Sequence, residues 1–421
     1  MGDQIDEDNE SLIFSLVNPT ATGTPSLIGS PVTTTITDDD TAGFTITPTA
    51  GLTTSETGGT TTFTVALNTQ PTADVAINLN SSNTAEGTID KNSLTFTATN
   101  WNTPQTVTIT GVDDLVDDGN IAYNIITAPA TSTDAKYNGM DADDVAVSNT
   151  DNDTAGVTIT QTGGTTQLTE GGITDTYTIA LDTLPTGNVQ ITATADAQTQ
   201  VSLDGVNFAA SQTLTFTPAN GMTAQTVTVR AIDDNTTENI HSGSITNTIT
   251  NSADANYATT MALDSITANI TDNDISYSLT GGSANITEGN TGSQQIVYNI
   301  TRTGATNETS TVDFNFSGTA TNIADYKLVS ITGTGVSTTN STITFAPNAT
   351  SATITVEVVG DQIDEDNETI EINLVNPTAT GTATVIGSPV TTTITDDDTA
   401  GFAITPTSLT TSETGELPHL L

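Results

Sequence analysis

Apolar and polar positions alternate along most of this chain. In Thr106-Val107-Thr108-Ile109-Thr110 and Thr213-Leu214-Thr215-Phe216-Thr217, threonine takes every second place and an apolar side chain the place between. A period of two sends successive side chains to opposite faces of an extended strand, so the pattern predicts half-buried strands with threonine in solvent. Gly, Pro, Asn and Asp separate the runs, and no segment joins a helical period to helix caps. Gly58-Gly59, Gly163-Gly164 and Gly281-Gly282 precede strands with no helix behind them, which makes them turns, not phosphate loops.

The strands come in repeating sets. The text GDQIDEDNE at Gly2 to Glu10 recurs at Gly360 to Glu368, and both copies continue through LVNPTATGT and IGSPVTTTITDDDTAGF. Asp38-Asp39-Asp40, Asp151-Asn152-Asp153, Asp272-Asn273-Asp274 and Asp396-Asp397-Asp398 each close a Thr/Val/Ile-rich run, at intervals of roughly 115 to 125 residues, an ordinary domain size. Complete repeats are expected at 43–154, 155–275 and 276–399. The C-terminal part of another is expected at 1–42 and the start of a further one at 400–421, whose tail Glu416 to Leu421 leaves the repeat text. In the third complete repeat, strands are expected near 276–287, 294–303, 310–316, 341–346, 352–359, 369–375 and 389–395. Seven short strands in such a length predict an all-β fold of tandem immunoglobulin-like seven-stranded sandwiches arranged end to end.

Charge adds a demand to this picture. Fifty acidic residues against five basic ones give a formal net charge of −45, yet 34% of the residues are hydrophobic, too many for a disordered acidic chain. The self-repulsion needs cations from solution, because Lys91, Lys136, Arg230, Arg302 and Lys327 are too few and too scattered to neutralise it. The same scatter excludes a phosphate-binding basic patch, and with it nucleic acid or an anionic membrane surface as partner. No apolar run approaches the ~18 residues of a membrane span. The absence of cysteine excludes disulfides and thiolate sites. Met1 is followed by acidic text where a signal peptide would be basic and then apolar, so any export signal is expected outside this chain.

Strand parity predicts where the acids gather. If successive strands run alternately down and up, the first, third, fifth and seventh all finish at one end of the sandwich. In 276–399 those ends carry Glu288, then Asp325, then Asp361 and Glu365, then Asp396, Asp397 and Asp398. Glu56, Asp114, Asp118, Asp151 and Asp153 hold these places in the first complete repeat, and Glu170, Asp234, Glu238, Asp272 and Asp274 in the second. Glu86 and Asp204 are only loose counterparts of Asp325, so the first two repeats are expected to bind fewer ions, or to bind them more weakly.

Carboxylates gathered in this way raise one another's pKa and destabilise the fold unless a cation sits among them. Six to eight oxygen ligands suit Ca²⁺ better than Mg²⁺, and zinc would want His or Cys, which this set lacks. The plainer reading of the triplets is a polar linker, since Asp and Asn are ordinary turn residues. Paired acids can also serve a glycosidase, but these recur at a domain end in every repeat with few aromatics to hold a sugar, and no enzyme is expected. His241 and His419 have no nucleophile arrangement beside them and are read as surface residues, Trp101 as a core or strand-edge aromatic.

These residues resemble a known family. Glu288, Ala324-Asp325-Tyr326, the run from Val358 through Asp361 and Glu365 to Leu374, and Ile394-Thr395-Asp396-Asp397-Asp398 are similar to the Calx-beta domain of sodium/calcium exchangers and many bacterial surface proteins. The two preceding repeats are more divergent and resemble those of large bacterial Calx-beta-containing proteins, as in Asn100-Trp101-Asn102-Thr103-Pro104-Gln105-Thr106-Val107. The resemblance implies Ca²⁺ held at the end of the sandwich by Glu288, Asp325, Asp361, Glu365, Asp396, Asp397 and Asp398. Thr399-Ala400-Gly401-Phe402 follows the last aspartate with no linker, so a bound ion would stiffen the junction. The function expected is a calcium-rigidified extension region of a secreted or cell-surface bacterial protein. The alternative is an adhesive or self-assembling surface-layer or filament module whose repeats bind a partner directly.

Overall fold

The computed structural model describes residues 2–403, and within them the alternating runs are strands, mostly paired antiparallel. Most of 400–421, with His419, lies outside the described residues. The last sandwich shows the build. One sheet orders Tyr326–Thr332, Ser351–Gly360, Gly292–Gly304, Ile275–Gly281 and Ala383–Ile386; the other orders Asn285–Thr287, Val390–Thr395, Glu368–Thr378, Ser310–Gly318, Thr342–Phe345 and Val336–Thr339. Tyr277, Tyr298, Ile354 and Val356 from the first sheet share one core with Val312, Phe345, Ile370 and Ile372 from the second. Each such side chain stabilises the fold by roughly 1.5–3 kcal/mol relative to exposure.

The seven expected strands are present, but the first is split. Gly281 and Gly282 both have positive φ, +93° and +73°, and a Cβ on Gly282 would lie 2.7 Å from Tyr298 Cε1. Glycine alone lets the chain leave one sheet there and enter the other. Ile275–Gly281 pairs with Gly292–Gly304, whereas Asn285–Thr287 runs parallel to Val390–Thr395, which carries Glu288 to the side of Asp396. Three further short strands, Tyr326–Thr332, Val336–Thr339 and Ala383–Ile386, bury too few side chains to show a clear alternation.

The two preceding sandwiches repeat this two-layer plan, each around its own hydrophobic core. Half-buried Trp101 packs against the earlier of these cores. A buried phenol recurs in both. The Tyr137 hydroxyl donates to the Thr69 carbonyl at 2.8 Å and accepts from the Thr69 N–H at 3.0 Å; Tyr257 makes the same pair with Thr183, both at 3.0 Å. The last sandwich has a buried Arg302 instead, which donates to Ser310 Oγ and to the carbonyls of Thr306, Glu308 and Phe345. It pins the turn that faces the preceding unit.

Near the N-terminus, Glu10–Phe14 and Val32–Ile36 pair as a two-stranded ribbon. Leu12 and Phe14 there are 44% and 60% exposed, although Ile370 and Ile372, at the matching places of the last sandwich, are fully buried.

Candidate metal centres at the acidic ends

Backbone pairing shows which residues are equivalent in the three sandwiches. The N–H groups of Glu56, Glu170 and Glu288 donate to the carbonyls of Thr150, Thr271 and Thr395 at 3.1, 3.1 and 3.2 Å. Those of Val112, Ile232 and Val359 donate to the carbonyls of Glu86, Gln198 and Asp325 at 3.0, 2.9 and 2.9 Å. Ile121, His241 and Glu368 lie opposite Asn149, Ile270 and Ile394 of the final strand. The place of Asp325 is therefore filled by Glu86 in one unit and by neutral Gln198 in the next. Asp204 is elsewhere: its carboxylate accepts from Val206 N, Asn207 N and the Asn207 amide within its own turn, which holds its pKa well below the usual range.

The first aspartate of each triplet is a bracket. One oxygen of Asp38, Asp151, Asp272 and Asp396 accepts from the N–H two residues on, at 3.2, 2.7, 2.7 and 3.1 Å. The other accepts from the preceding loop, from the N–H of Glu7, Gly119, Glu238 and Glu365 at 2.9, 2.7, 2.6 and 3.1 Å. Asp114, Asp234 and Asp361 turn that loop by accepting from Val116, Thr236 and Ile363 N–H at 2.8, 2.6 and 2.8 Å. These hydrogen bonds fold the two loops against each other and leave carboxylate lone pairs facing inward.

The remaining acids fill the space so formed. Glu56, Asp151 and Asp153 bring one oxygen each within 4.8 Å of one another, and Glu86, Asp114 and Asp118 form a second such group. In the next unit Glu170, Asp272 and Asp274 make one group, and Glu170, Glu238 and His241 another, while Asp234 adds to the field at Glu170. In the last unit Glu288 stands in the field of Asp396, Asp361, Glu365 and Asp398, and Glu365 in that of Asp325. Asp397 accepts from Gly289 N–H at 3.0 Å and Asp398 from the Asn290 amide at 2.5 Å.

Such crowding shifts the acids towards their protonated forms. Burial first, and neighbouring carboxylates second, push Glu170 and Glu288 up to about 7. Burial also lifts Glu56 to about 7, opposed by a hydrogen bond from Asn152 N–H and reinforced by Asp151. Glu368 reaches about 7 through burial and then Asp325 beside it. Asp153 Oδ2, Glu170 Oε2, Asp274 Oδ2, Glu288 Oε1 and Asp398 Oδ2 are buried with no hydrogen-bond partner. Buried carboxylate oxygens without donors are costly, and a hard divalent cation with an all-oxygen shell satisfies several at once. The residues present fit Ca²⁺ in the first and last sandwiches.

Three members of these groups escaped the reading of the sequence. Glu86 is buried inside the cluster instead of being a loose counterpart, and Glu368, the last residue of the acidic text, is the first residue of the following strand. His241 corrects an expectation: it is not a free surface residue, since its ring lies 3.6 Å from Glu170 and 3.2 Å from Glu238. Its register with Glu368, visible only once the strands are paired, was the missing signal.

Each acidic end touches the following unit. Gln4 O accepts from Gln70 N–H at 2.6 Å, Asp117 from Ala155 N–H at 2.8 Å, and Leu115 O from Leu184 N–H at 2.7 Å. Lys136 reaches back across one junction to Asp6 at 2.9 Å and Asp8 at 3.2 Å. The Asp274 carbonyl accepts from Ala305 N–H at 2.8 Å, and its carboxylate accepts from Thr382 N–H.

The Calx-beta domain model matches residues 133–274 and 271–399, more than half of the chain. The chain belongs to the Calx-beta family. Calx-beta domains form a calcium-binding family, and the later match ends just past the Asp396-Asp397-Asp398 triplet. Solved structures similar to this Calx-beta chain include the apo-form Calx CBD1 domain, at 22% identity over 29% of this chain and 98% of that one, TM-score 0.22. The calcium binding domain CBD12 of CALX1.1 is 13% identical over 56% and 99%, TM-score 0.23. The C-terminal domain of the Streptococcus pyogenes antigen I/II-family protein AspA is 11% identical over 57% and 98%, TM-score 0.29. No match was found among curated proteins.

Proposed function

We propose that this Calx-beta array is a calcium-binding structural spacer of a secreted or cell-surface bacterial protein, in which Ca²⁺ at the junctions stiffens the chain. The observation that carries the reading is the coincidence of unsatisfied carboxylate oxygens with inter-unit hydrogen bonds: Asp274 has one buried oxygen without a partner and another engaged by Thr382 of the next unit. An ion on the free oxygen fixes the side chain that holds the neighbour. The proposed ligands are Glu56, Asp114, Asp118, Asp151 and Asp153; Glu170, Asp234, Glu238, Asp272 and Asp274; and Glu288, Asp325, Asp361, Glu365, Asp396, Asp397 and Asp398, joined by Glu86 and Glu368. Nothing in the arrangement favours catalysis. Among the described residues no helix is long and apolar enough to cross a membrane.

Small-angle scattering of the full chain with Ca²⁺ and with a chelator tests the reading. Stiffening predicts a larger maximum dimension and a narrower range of shapes with Ca²⁺; identical curves sink it. A second reading is self-association through the repeats, by pairing at exposed strand edges. Analytical ultracentrifugation decides: a monomer at all concentrations counts against it.

A further inference from the structure

The second sandwich departs from the other two at two places on its acidic end. Gln198 stands where the others have Glu86 and Asp325, and His241 stands at the register of Glu368. Gln198 removes a carboxylate that both other units have, and His241 puts an imidazole where the first unit has Ile121 and the last has Glu368. Its ring is not turned to solvent: Nε2 lies 3.6 Å from Glu170 Oε1 and Nδ1 lies 3.2 Å from Glu238 Oε2.

Three features make this a prepared donor set. Glu170 is 3% exposed, and its Oε2 has no hydrogen-bond partner. Glu238 Oε2 is likewise buried and without a hydrogen-bond partner. Nδ1 of His241 lies 3.1 Å from the Asn239 carbonyl, an acceptor only, so this nitrogen carries the proton in the neutral ring. Nε2 then presents its lone pair towards the Glu170 carboxylate, and a cation between them, proton or metal ion, reconciles the two. A backbone carbonyl on one ring nitrogen is the usual outer support of a metal-bound histidine. One donor atom from each of the three side chains lies within 4.8 Å of the other two, and the 3.6 Å between Nε2 and Glu170 Oε1 is close to the roughly 3.3 Å between ligands of a tetrahedral ion with bonds near 2.05 Å.

We propose that the end of the second sandwich is a transition-metal site that takes Zn²⁺ or a similar borderline cation on Glu170, Glu238 and His241, with water completing the shell. Imidazole and carboxylate together suit Zn²⁺, whereas Ca²⁺ takes oxygen ligands and gains nothing from the imidazole. The inference rests on the proposed function, changes the ion only for Glu170, Glu238 and His241, and leaves the calcium reading in place for Asp274 at the junction and for residues 43–154 and 276–399. Two different cations would then serve one chain.

The test uses the full chain stripped with a chelator and titrated with Co²⁺, Zn²⁺ and Ca²⁺. One equivalent of Co²⁺ is expected to give visible absorption bands of a nitrogen-containing low-coordinate site, and Zn²⁺ to abolish them. His241→Gln should weaken Zn²⁺ binding by at least about tenfold, while the same change at His419, the other histidine, leaves it unaltered. His241→Glu restores the acid found in the last unit; it should lose the Co²⁺ bands and gain Ca²⁺ affinity, with circular dichroism confirming that it folds. In nitrogen NMR of the native chain, Nε2 of His241 should shift with Zn²⁺ and stay still with Ca²⁺. Equal Zn²⁺ affinity in native chain and His241→Gln overturns the proposal, as does displacement of Zn²⁺ by equimolar Ca²⁺. A parallel Ca²⁺ titration of Glu288→Gln separates the two readings: unchanged Ca²⁺ binding there argues against the calcium site of the last unit and leaves the Co²⁺ result untouched.

Discussion

Glu56, Glu170 and Glu288 sit at the same place in three sandwiches, are no more than 5% exposed, and are each pushed to about 7 with burial as the first cause. The folded chain therefore holds these protons more tightly than the unfolded chain, whose glutamates titrate near 4.5. Stability from this source is complete below pH ~4.5 and is lost as pH rises towards about 7. The metal-free protein should melt at a lower temperature at pH 8 than at pH 5.5, by an amount on the order of 1–3 kcal/mol for each glutamate. Calcium should flatten or reverse that slope, because it binds the deprotonated carboxylates. Scanning calorimetry at both pH values, with and without Ca²⁺, checks both halves. Glu288→Gln should raise the metal-free melting temperature of the last unit at pH 8 and remove its response to Ca²⁺; an unchanged response would remove Glu288 from the ligand set.

At the scale of elements, strand pairing decides what the sequence leaves open. Alternation made the long strands legible, since Thr-outward and Val/Ile-inward positions have one solution on a two-layer sheet. Short strands such as Val336–Thr339 were not, because their sides are nearly equally wet. The acids at the ends of odd-numbered strands were legible for a topological reason. Glu86, Glu368 and His241 were not, because their equivalence rests on hydrogen-bond register between segments far apart in the chain. Two substitutions probe elements directly. Gly282→Ala should cost several kcal/mol in the last sandwich, since it forces a positive φ on a residue with a side chain and drives Cβ to 2.7 Å from Tyr298. Tyr257→Phe, which leaves the Thr183 N–H and carbonyl unpaired in a buried corner, should cost about 1–3 kcal/mol and act on the second sandwich alone. Urea denaturation of the two variants, followed unit by unit with hydrogen exchange, checks both; loss of protection spread over all units would contradict the separate cores.

For the whole molecule, a net charge of −45 makes two effects of calcium separable. Any salt screens the repulsion among fifty acids, so the metal-free chain should gain stability and compactness as NaCl is raised, over the range in which the Debye length falls from about 30 Å to about 8 Å. Screening acts on all exposed carboxylates and does not distinguish one junction from another. Bound ions act only where orphaned oxygens converge, at Asp153, Asp274, Glu288 and Asp398. At equal ionic strength, CaCl₂ should therefore raise the melting temperature well beyond NaCl, and the excess should saturate with a stoichiometry set by the ends. Asp274→Asn gives the sharper test, because it keeps an acceptor for Thr382 while removing the charge that an ion needs. The variant should keep the NaCl response and lose stiffening between the second and last sandwiches, read as a broader distribution of distances between spin labels placed one in each. If CaCl₂ and NaCl prove equivalent at matched ionic strength, the acidic ends are solvated turns and the array owes its stiffness to Lys136, Asp117 and the other direct contacts across its junctions.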